Sequence, residues 1–227
     1  MKEITQLERI KRFGLTCALN DNGVERHFHH GHEYVEIGGV KWATCNVGAE
    51  KETDCGKYFA WGETKGYTVD EIENGVKSFS WENYELCNGS CFMTKYNETD
   101  DQSVLEPIDD AVVAAWGNGW RMPTTEEYAA LGNAVNTEWT NNYQGSGVAG
   151  MICTDKTDSS KVLFFPACGL CGNCSVSFVG SNGGYWSSSL YSSSVHRAYY
   201  LRFYDDNVYW QYNIVRYGGF PVRGVVG

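Results

Sequence analysis

The chain has few basic side chains and no long apolar run, and each deficit excludes a class of function. Its 227 residues include 18 Lys and Arg against 28 Asp and Glu, which gives a formal net charge of -10. Nucleic-acid binding depends on clustered Lys and Arg, so we expect no nucleic-acid partner. No stretch approaches the roughly 20 apolar residues of a membrane span, and the polar opening MKEITQLERIKRFG lacks the apolar core of a signal peptide. We therefore expect synthesis in the cytoplasm and no membrane insertion.

Proline is also scarce, at 4 residues against 26 Gly, 8 Trp and 15 Tyr. This composition favours turns and large amphipathic rings. Tyr and Trp supply much contact area at a low cost in conformational entropy, so their abundance is typical of recognition surfaces.

The first 32 residues differ in pattern from the rest of the chain. Ile4, Leu7 and Ile10 recur at helical spacing in a charged stretch, and the run RHFHHGH follows at 26–32. We interpret residues 1–32 as an N-terminal appendage or connector, and residues 33–227 as one domain.

Two segments carry helix signals. Thr124 and Glu127 have the T-x-x-E spacing of a capping box at the start of a helix within 121–134. A shorter helix is expected within 109–120, where Ala and Val recur on one side and Gly117 should end it.

Other segments predict strands and loops. We expect strands in a hairpin over 33–48 that turns at Gly38 and Gly39, in a short piece at 55–64, and at 150–155 and 161–167. Residues 65–108 are irregular and polar, which predicts long packed loops. Because the helices are few and precede most of the strands, the pattern predicts an α+β fold rather than alternating βαβ units.

The segment AYYLRFYDDNVYWQY (198–212) predicts a β-hairpin with one open face. Alternation along the two strands points one set of side chains to the core, namely Tyr199, Leu201, Phe203, Val208 and Trp210. The open face then carries Tyr200, Arg202, Tyr204, Tyr209 and Gln211. Tyr and Arg dominate binding hot spots, whereas a sheet facing plain solvent more often carries Lys, Glu and Thr.

The same tail lacks several residue types. Between Ser175 and Gly227 there is no Lys, Glu, Met, Thr or Cys. We favour a recognition surface over the alternative, a polar strand-and-loop terminus that happens to lack these types.

Six strings occur in order along residues 33–227: GGVKWATCNVGA, GKYFAWGET, WGNGWRMPTTEEY, LFFPACG, VGSNGGYWSSS and FPVRGV. Together they resemble the Fibrobacter succinogenes major paralogous domain family. The resemblance implies a C-type lectin-like fold of the subclass related to formylglycine-generating enzymes, with two short helices packed on twisted antiparallel sheets and long loops. It also implies a relation to the variable proteins of diversity-generating retroelements in gut Bacteroidetes and their phages.

In such variable proteins the adenines of a template are randomised, so that an AAC codon becomes NNC. An NNC codon can encode Tyr, Ser, His, Arg, Asp, Asn, Ile, Val or Phe but never Lys, Glu, Met, Gln or Trp, which fits the tail after Trp186 except at Gln211 and at Trp210, a scaffold position. The resemblance implies a variable region at about 186–223. The ligand-binding positions that it implies are Tyr191, His196, Arg197, Tyr200, Arg202, Tyr204, Tyr209, Tyr212, Asn213, Ile214 and Tyr217. The scaffold positions are Trp186, Trp210, Arg216 and Arg223.

The nine cysteines are predicted to be reduced thiols rather than a disulfide framework, because their number is odd and the chain shows no export signal. Cys168, Cys171 and Cys174 include the C-x-x-C spacing of zinc sites. No second pair at matching spacing accompanies them, so free thiols are favoured over a metal site.

Two further metal hypotheses are weaker than their alternatives. His27 and His29 would share a face of an extended segment that also contains His30 and His32, but a solvated polar connector is favoured. Adjacent Asp and Asn side chains at 205–207 fit a hairpin turn better than a calcium site. We expect no metal and no cofactor.

We do not expect an enzyme. His196 is the only histidine after His32, and no Ser/His/Asp or Cys/His set has supporting context. The formylglycine-generating relatives work through a reactive cysteine pair near the C-terminal part of the domain, whereas the tail beyond Ser175 has no cysteine.

The leading hypothesis is a ligand- or receptor-binding protein that displays a diversified surface at the tip of a phage tail fibre. Its partner would be a protein or glycan receptor on a target cell, and a homotrimer is expected by analogy only. The alternative is a bacterial cell-surface adhesin or pilus-like structural protein with a fixed ligand, which an export signal upstream of Met1 would favour.

Overall fold

The computed structural model describes residues 17–19, 25–88 and 91–226, and it has the predicted α+β composition with mainly antiparallel sheets. The predicted helical spacing at Ile4, Leu7 and Ile10 lies outside the described residues. None of the helices in the described ranges is long and apolar enough to cross a bilayer.

The largest sheet has six strands in the order β1-β2-β3-β4-β14-β5. Their bounds are β1 Cys17–Leu19, β2 Glu25–His29, β3 His32–Ile37, β4 Val40–Asn46, β5 Trp120–Arg121 and β14 Arg223–Val226. The predicted hairpin over 33–48 is confirmed as β3 and β4. Gly38 and Gly39 make its turn with φ of 62° and 79°, a region that only glycine enters at little cost. The C-terminal strand β14 lies between β4 and β5 and pairs with both. It therefore connects the N-terminal strands β1–β4 to β5, which comes from the middle of the chain.

The main sheet begins before the domain boundary predicted at residue 32, so the last residues of the predicted N-terminal appendage pair with the domain. Strand β2 pairs with β3 in antiparallel register, with His29 opposite His32. Phe28 is buried, at 5% exposure. The histidine-rich segment is thus part of a β-hairpin of the main sheet, since Phe28 gives it one apolar anchor among polar neighbours.

Three helices occur in the described residues: α1 Val69–Glu73, α2 Ala111–Trp116 and α3 Thr125–Ala134. The predicted capping box of α3 is confirmed, because Thr124 Oγ1 accepts from the backbone N–H of Glu127 at 3.2 Å and Glu127 Oε2 accepts from the N–H of Thr124 at 2.8 Å. Helix α2 ends as predicted at Gly117, where φ is 56°.

Two local predictions were wrong. Residues 55–64 form no strand, although single bridges connect Tyr58 to Tyr67 and Phe59 to Phe220. Helix α1 was missed inside the predicted loop region, yet Thr68 and Glu71 give it the same T-x-x-E capping box as α3. The capping signal was present in the sequence, but the helix that follows Thr68 has only five residues.

Three smaller sheets complete the fold. One has the order β6-β7-β8, with β6 Val135–Thr140, β7 Gly150–Asp155 and β8 Val162–Pro166, and it confirms the two strands predicted at 150–155 and 161–167. A two-stranded ladder pairs β9 Leu170–Gly172 with β10 Ser175–Ser177. The third sheet has the order β11-β12-β13, with β11 Gly183–Leu190, β12 Arg197–Phe203 and β13 Val208–Val215.

The β11–β13 sheet lies between two hydrophobic clusters. Trp186 and Tyr200 pack on one side with Phe220, while their chain neighbours Tyr185 and Leu201 pack on the other side. Successive side chains of a strand point to opposite faces, so both faces of β11 and β12 are largely covered, whereas β13 has no buried residue.

Two buried arginines connect the sheets through main-chain carbonyls. Arg216 is 0% exposed and donates to the carbonyl oxygens of Lys95, Tyr96 and Val195 at 2.9–3.1 Å. Arg223, also 0% exposed, donates to Asn46 Oδ1 at 2.8 Å and to the carbonyl oxygens of Ala43 and Phe164 at 2.9 and 3.1 Å. Because a guanidinium has five donors in a rigid fork, one side chain can satisfy several loop carbonyls at once.

Cys55 and Cys168 form a disulfide, which corrects the expectation that all the cysteines are reduced. Their Cα atoms are 5.5 Å apart although 113 residues separate them in sequence. The prediction failed because a single pair formed by tertiary proximity leaves no local spacing pattern. The bond ties the loop before Tyr58 to the end of β8.

Candidate ligand-binding surface

The candidate surface lies on the β12–β13 hairpin, whose existence is confirmed. The strands pair Tyr200 with Tyr212 and Arg202 with Tyr209, so the register shifts by one residue between these pairs. Two residues of β13, Trp210 and Gln211, therefore lie opposite the single residue between Tyr200 and Arg202. Such an irregularity changes which side chains share a face, because alternation restarts after it.

Four side chains, two exposed and two half-buried, form a compact surface group, which we call the tyrosine–arginine cluster: Arg202, Tyr204, Tyr209 and Tyr212. The guanidinium of Arg202 lies 4.7 Å from the ring centre of Tyr204 and 5.0 Å from that of Tyr212. The rings of Tyr209 and Tyr212 have centroids 5.4 Å apart. Tyr209 and Tyr212 keep 42% and 40% of their surface exposed.

This geometry preorganises the cluster. Cation–π contacts on both sides hold the Arg202 side chain between two rings, so little rotamer entropy remains to be lost when a ligand binds. The hydroxyl groups and the guanidinium edge can donate hydrogen bonds, and the ring faces offer apolar area.

One of the predicted contact residues, Tyr200, is a core residue instead, and a second, Ile214, is half-buried. Tyr200 is only 3% exposed, and its ring packs against Trp186 and Phe220 with centroids 5.9 and 4.9 Å away. Burial accordingly raises the pKa of the Tyr200 hydroxyl. Ile214 packs against the same hydrophobic cluster. Alternation alone missed this because it assumes one free face, whereas loops from elsewhere in the chain cover this part of the sheet.

Gln211 was predicted on the open face and is exposed, but the register shift directs its side chain away from the cluster. Its side-chain amide donates to the carbonyl oxygen of Thr125 in α3 at 3.4 Å. Tyr212 takes its place beside Tyr209. Gln211, which an NNC codon cannot encode, thus bonds to the scaffold rather than to the cluster.

The other predicted positions lie in two separate places. Arg197 donates from Nε to Asn213 Oδ1 at 2.5 Å and from a terminal nitrogen to the Asn213 carbonyl at 2.9 Å, so these two side chains partner each other. Tyr191 packs edge-to-face on Tyr199 at 5.2 Å. All of them are half-buried, and none contacts the tyrosine–arginine cluster directly in the interactions of the described residues.

His196 and Tyr217 form a third group around Trp81, which lies in the region predicted as long packed loops. Their rings lie 5.8 and 4.8 Å from that of Trp81, both edge-to-face. His196 Nε2 also lies at hydrogen-bond distance, 2.9 Å, from the carbonyl oxygen of Cys91. These contacts position the 194–197 turn.

The four predicted scaffold residues are held in place. Trp186, Arg216 and Arg223 are each 0% exposed. Trp210 is half-buried against α3, where a Cβ on Gly132 would come within 2.5 Å of the indole Nε1. Because Gly132 has no side chain, Trp210 of β13 can pack directly on the helix. This contact holds the strand that carries Tyr209 and Tyr212 in place.

A shallow open groove next to Tyr204 contains residues that sequence reasoning missed. It is lined by Trp139, Asn141, Gly180, Ser181, Asn182, Tyr204, Asp205 and Asp206. Trp139 Nε1 donates to Asn141 Oδ1 at 2.9 Å, which fixes the indole. The groove joins three separate chain segments, so no single sequence pattern could have identified it.

The cysteine-rich loop does not form a metal centre in the described residues. Cys168 is in the disulfide, Cys171 is buried and Cys174 is exposed. Burial, the larger cause, and the nearby Cys174 raise the pKa of Cys171 to about 12. Cys171 is thus an unreactive thiol at neutral pH.

Comparison with known proteins adds one match. Residues 151–224, about a third of the chain, match a family described as Domain of unknown function (DUF8237). No curated protein and no solved structure matches the chain significantly. The matched segment contains the whole β11–β13 sheet, and with it the entire tyrosine–arginine cluster.

Proposed function

We propose that this chain is a ligand- or receptor-binding protein with a C-type lectin-like fold, and that it displays a diversified surface at the tip of a phage tail fibre. It acts by binding and is not an enzyme. The observation that carries the proposal is the tyrosine–arginine cluster, which displays the exposed rings of Tyr209 and Tyr212 on a sheet whose other two strands, β11 and β12, are largely buried. A rigid base under exposed Tyr and Arg is the arrangement of a binding hot spot.

The division between fixed and exposed positions supports diversification. The ring contacts of Arg202 and Tyr209 lie within the cluster, and Tyr212 adds one edge contact to the buried Tyr200, so replacement of these three side chains removes no member of the two hydrophobic clusters. NNC codons can encode each of these residue types, and Gln211, which they cannot encode, bonds to α3 instead. Tyr200 is buried and Ile214 packs against the same hydrophobic cluster, so we assign both to the scaffold. The proposed set of variable positions is therefore smaller than the set implied by the sequence.

The proposal is tested by labelled protein, multimerised to supply avidity, on a panel of intact gut Bacteroidetes cells and on a glycan array. The variant R202A/Y204A/Y209A/Y212A should lose binding by more than about 10-fold, as expected when several hot-spot side chains are removed. The control V76A/I108A removes exposed apolar side chains elsewhere, at 60% and 77% exposure, and should bind like the parent. Equal binding by all three proteins would contradict the proposal.

Diversification itself is tested in the nucleotide sequence around the gene. A near-copy of the codons for 186–223 that differs almost only at adenines, next to a reverse transcriptase gene, is the expected finding. Absence of such a copy would contradict diversification and leave a binding domain with a fixed ligand.

The second candidate, a bacterial cell-surface adhesin or pilus-like structural protein, is favoured by the Cys55–Cys168 disulfide. Disulfides persist in oxidising surroundings outside the cytoplasm and are rare within it. Neighbouring tail genes would favour the phage protein, whereas an export signal encoded upstream would favour the adhesin.

A further inference from the structure

Strands β1 and β2 bring three metal-ligating side chains together at the edge of the six-stranded sheet, far along the chain from the tyrosine–arginine cluster. Cys17 lies directly opposite His27 in the antiparallel register, and Glu25 precedes His27 by two residues on the same strand. Side chains at these positions share one face of a ladder. All three are exposed.

The donor atoms of these side chains already converge. Cys17 Sγ, a carboxylate oxygen of Glu25 and a ring nitrogen of His27 all lie within 4.8 Å of one another. Cys17 Sγ is 2.8 Å from Glu25 Oε1. Zinc–ligand bonds of about 2.0–2.3 Å place neighbouring tetrahedral donors about 3.3–3.8 Å apart, so small side-chain rotations suffice to complete the geometry.

We propose that Cys17, Glu25 and His27 form a zinc-binding site with a fourth position open to water or to an external ligand. Thiolate, imidazole and carboxylate are the side-chain groups that Zn²⁺ binds. Other described residues form no group of three such side chains with converging donor atoms.

The charge of the ligands and the restricted orientation of the His27 ring both favour a divalent cation at this site. A thiolate beside a carboxylate would place two negative charges in contact, and Zn²⁺ neutralises both. Binding replaces the thiol proton of Cys17, which goes to solvent, while Glu25 and neutral His27 bind through existing lone pairs. The His27 ring stacks on Tyr34 with centroids 5.8 Å apart, which restricts its orientation.

The site would also protect the edge of the sheet. Strand β1 is the outermost strand and has three residues in the described range, so it has few backbone hydrogen bonds of its own. An ion that bridges Cys17 to β2 cross-links the two strands and stabilises their pairing.

Cobalt titration of the full chain under anaerobic conditions tests the site, with Co²⁺ as a spectroscopic substitute for Zn²⁺. We expect one equivalent of Co²⁺ to give a thiolate-to-metal charge-transfer band and intense visible bands of tetrahedral coordination, both removed by Zn²⁺. C17S should abolish the charge-transfer band, and E25Q and H27N should each weaken Co²⁺ binding by more than about 10-fold.

Matched controls separate this site from other thiols and imidazoles. C174S removes another exposed cysteine, and H30N removes a neighbouring histidine at a positive φ that Asn tolerates; both should bind Co²⁺ like the parent. Near-ultraviolet circular dichroism should show that every variant keeps its fold. A charge-transfer band that survives in C17S, or that C174S removes, would overturn the proposal.

Discussion

Tyr212 lies directly opposite Tyr200 across the β12–β13 ladder, and the two rings meet edge-to-face with centroids 5.9 Å apart. Tyr200 is 3% exposed and Tyr212 is 40% exposed. One ring is therefore part of the core and the other is part of the surface. The pair connects the tyrosine–arginine cluster to the hydrophobic cluster around Trp186, which limits how far the exposed rings can move.

Replacing the exposed rings should affect binding much more than folding. Y209A removes a ring whose contacts lie within the cluster, and Y212A removes in addition one edge contact to Tyr200, so each should change the free energy of unfolding by less than about 1 kcal/mol. Cell binding should fall in both variants. Urea denaturation and the labelled-cell assay give the two quantities. A large loss of stability in Y212A would show that this ring belongs to the core.

Y200A should have the opposite effect. Removal of a buried aromatic ring leaves a cavity and costs about 3–5 kcal/mol, so the midpoint of urea denaturation should fall sharply. Y200F keeps the ring against Trp186 and Phe220 and should remain close to the parent in stability. A stable Y200A protein that has lost only binding would restore Tyr200 to the contact surface.

Reduction of Cys55–Cys168 should destabilise the protein. The bond closes a loop of 113 residues, and loss of a native disulfide typically costs about 2–5 kcal/mol. Thermal unfolding with and without a reductant measures this effect. The double variant C55A/C168A should have a low melting temperature that the reductant does not change, whereas C174A should respond like the parent. A parent melting temperature independent of reductant would contradict the disulfide.

Glu127 should make stability depend on acid pH. Burial raises the pKa of Glu127, but hydrogen bonds from Arg121 and from the N–H of Thr124 outweigh it, so the pKa lies below the usual 4.5. A lowered folded-state pKa gives stability that is present above the unfolded value and is lost as the pH falls through the folded value.

The variant E127Q removes this contribution. It should be less stable than the parent by about 1 kcal/mol at pH 7, and the difference should shrink below about pH 4.5. Urea denaturation at neutral pH and at about pH 3.5 measures both differences. The control E126Q changes an exposed neighbouring carboxylate and should show no such pH dependence. A difference for E127Q that is constant with pH would contradict the assignment.

The sequence by itself determined the elements whose signals lie within a few residues. The capping box at Thr124, the stop at Gly117 and the turn at Gly38 and Gly39 all rest on local backbone geometry, and all are confirmed. The β12–β13 hairpin is confirmed for the same reason, since period-two alternation around a polar turn is also local.

Only the tertiary structure decided which side chains of that hairpin are free. The register shift opposite Leu201 exchanges Gln211 for Tyr212, and loops from distant parts of the chain bury Tyr200. The Cys55–Cys168 bond likewise joins segments 113 residues apart. These features depend on contacts between residues remote in sequence, and no local periodicity encodes such contacts.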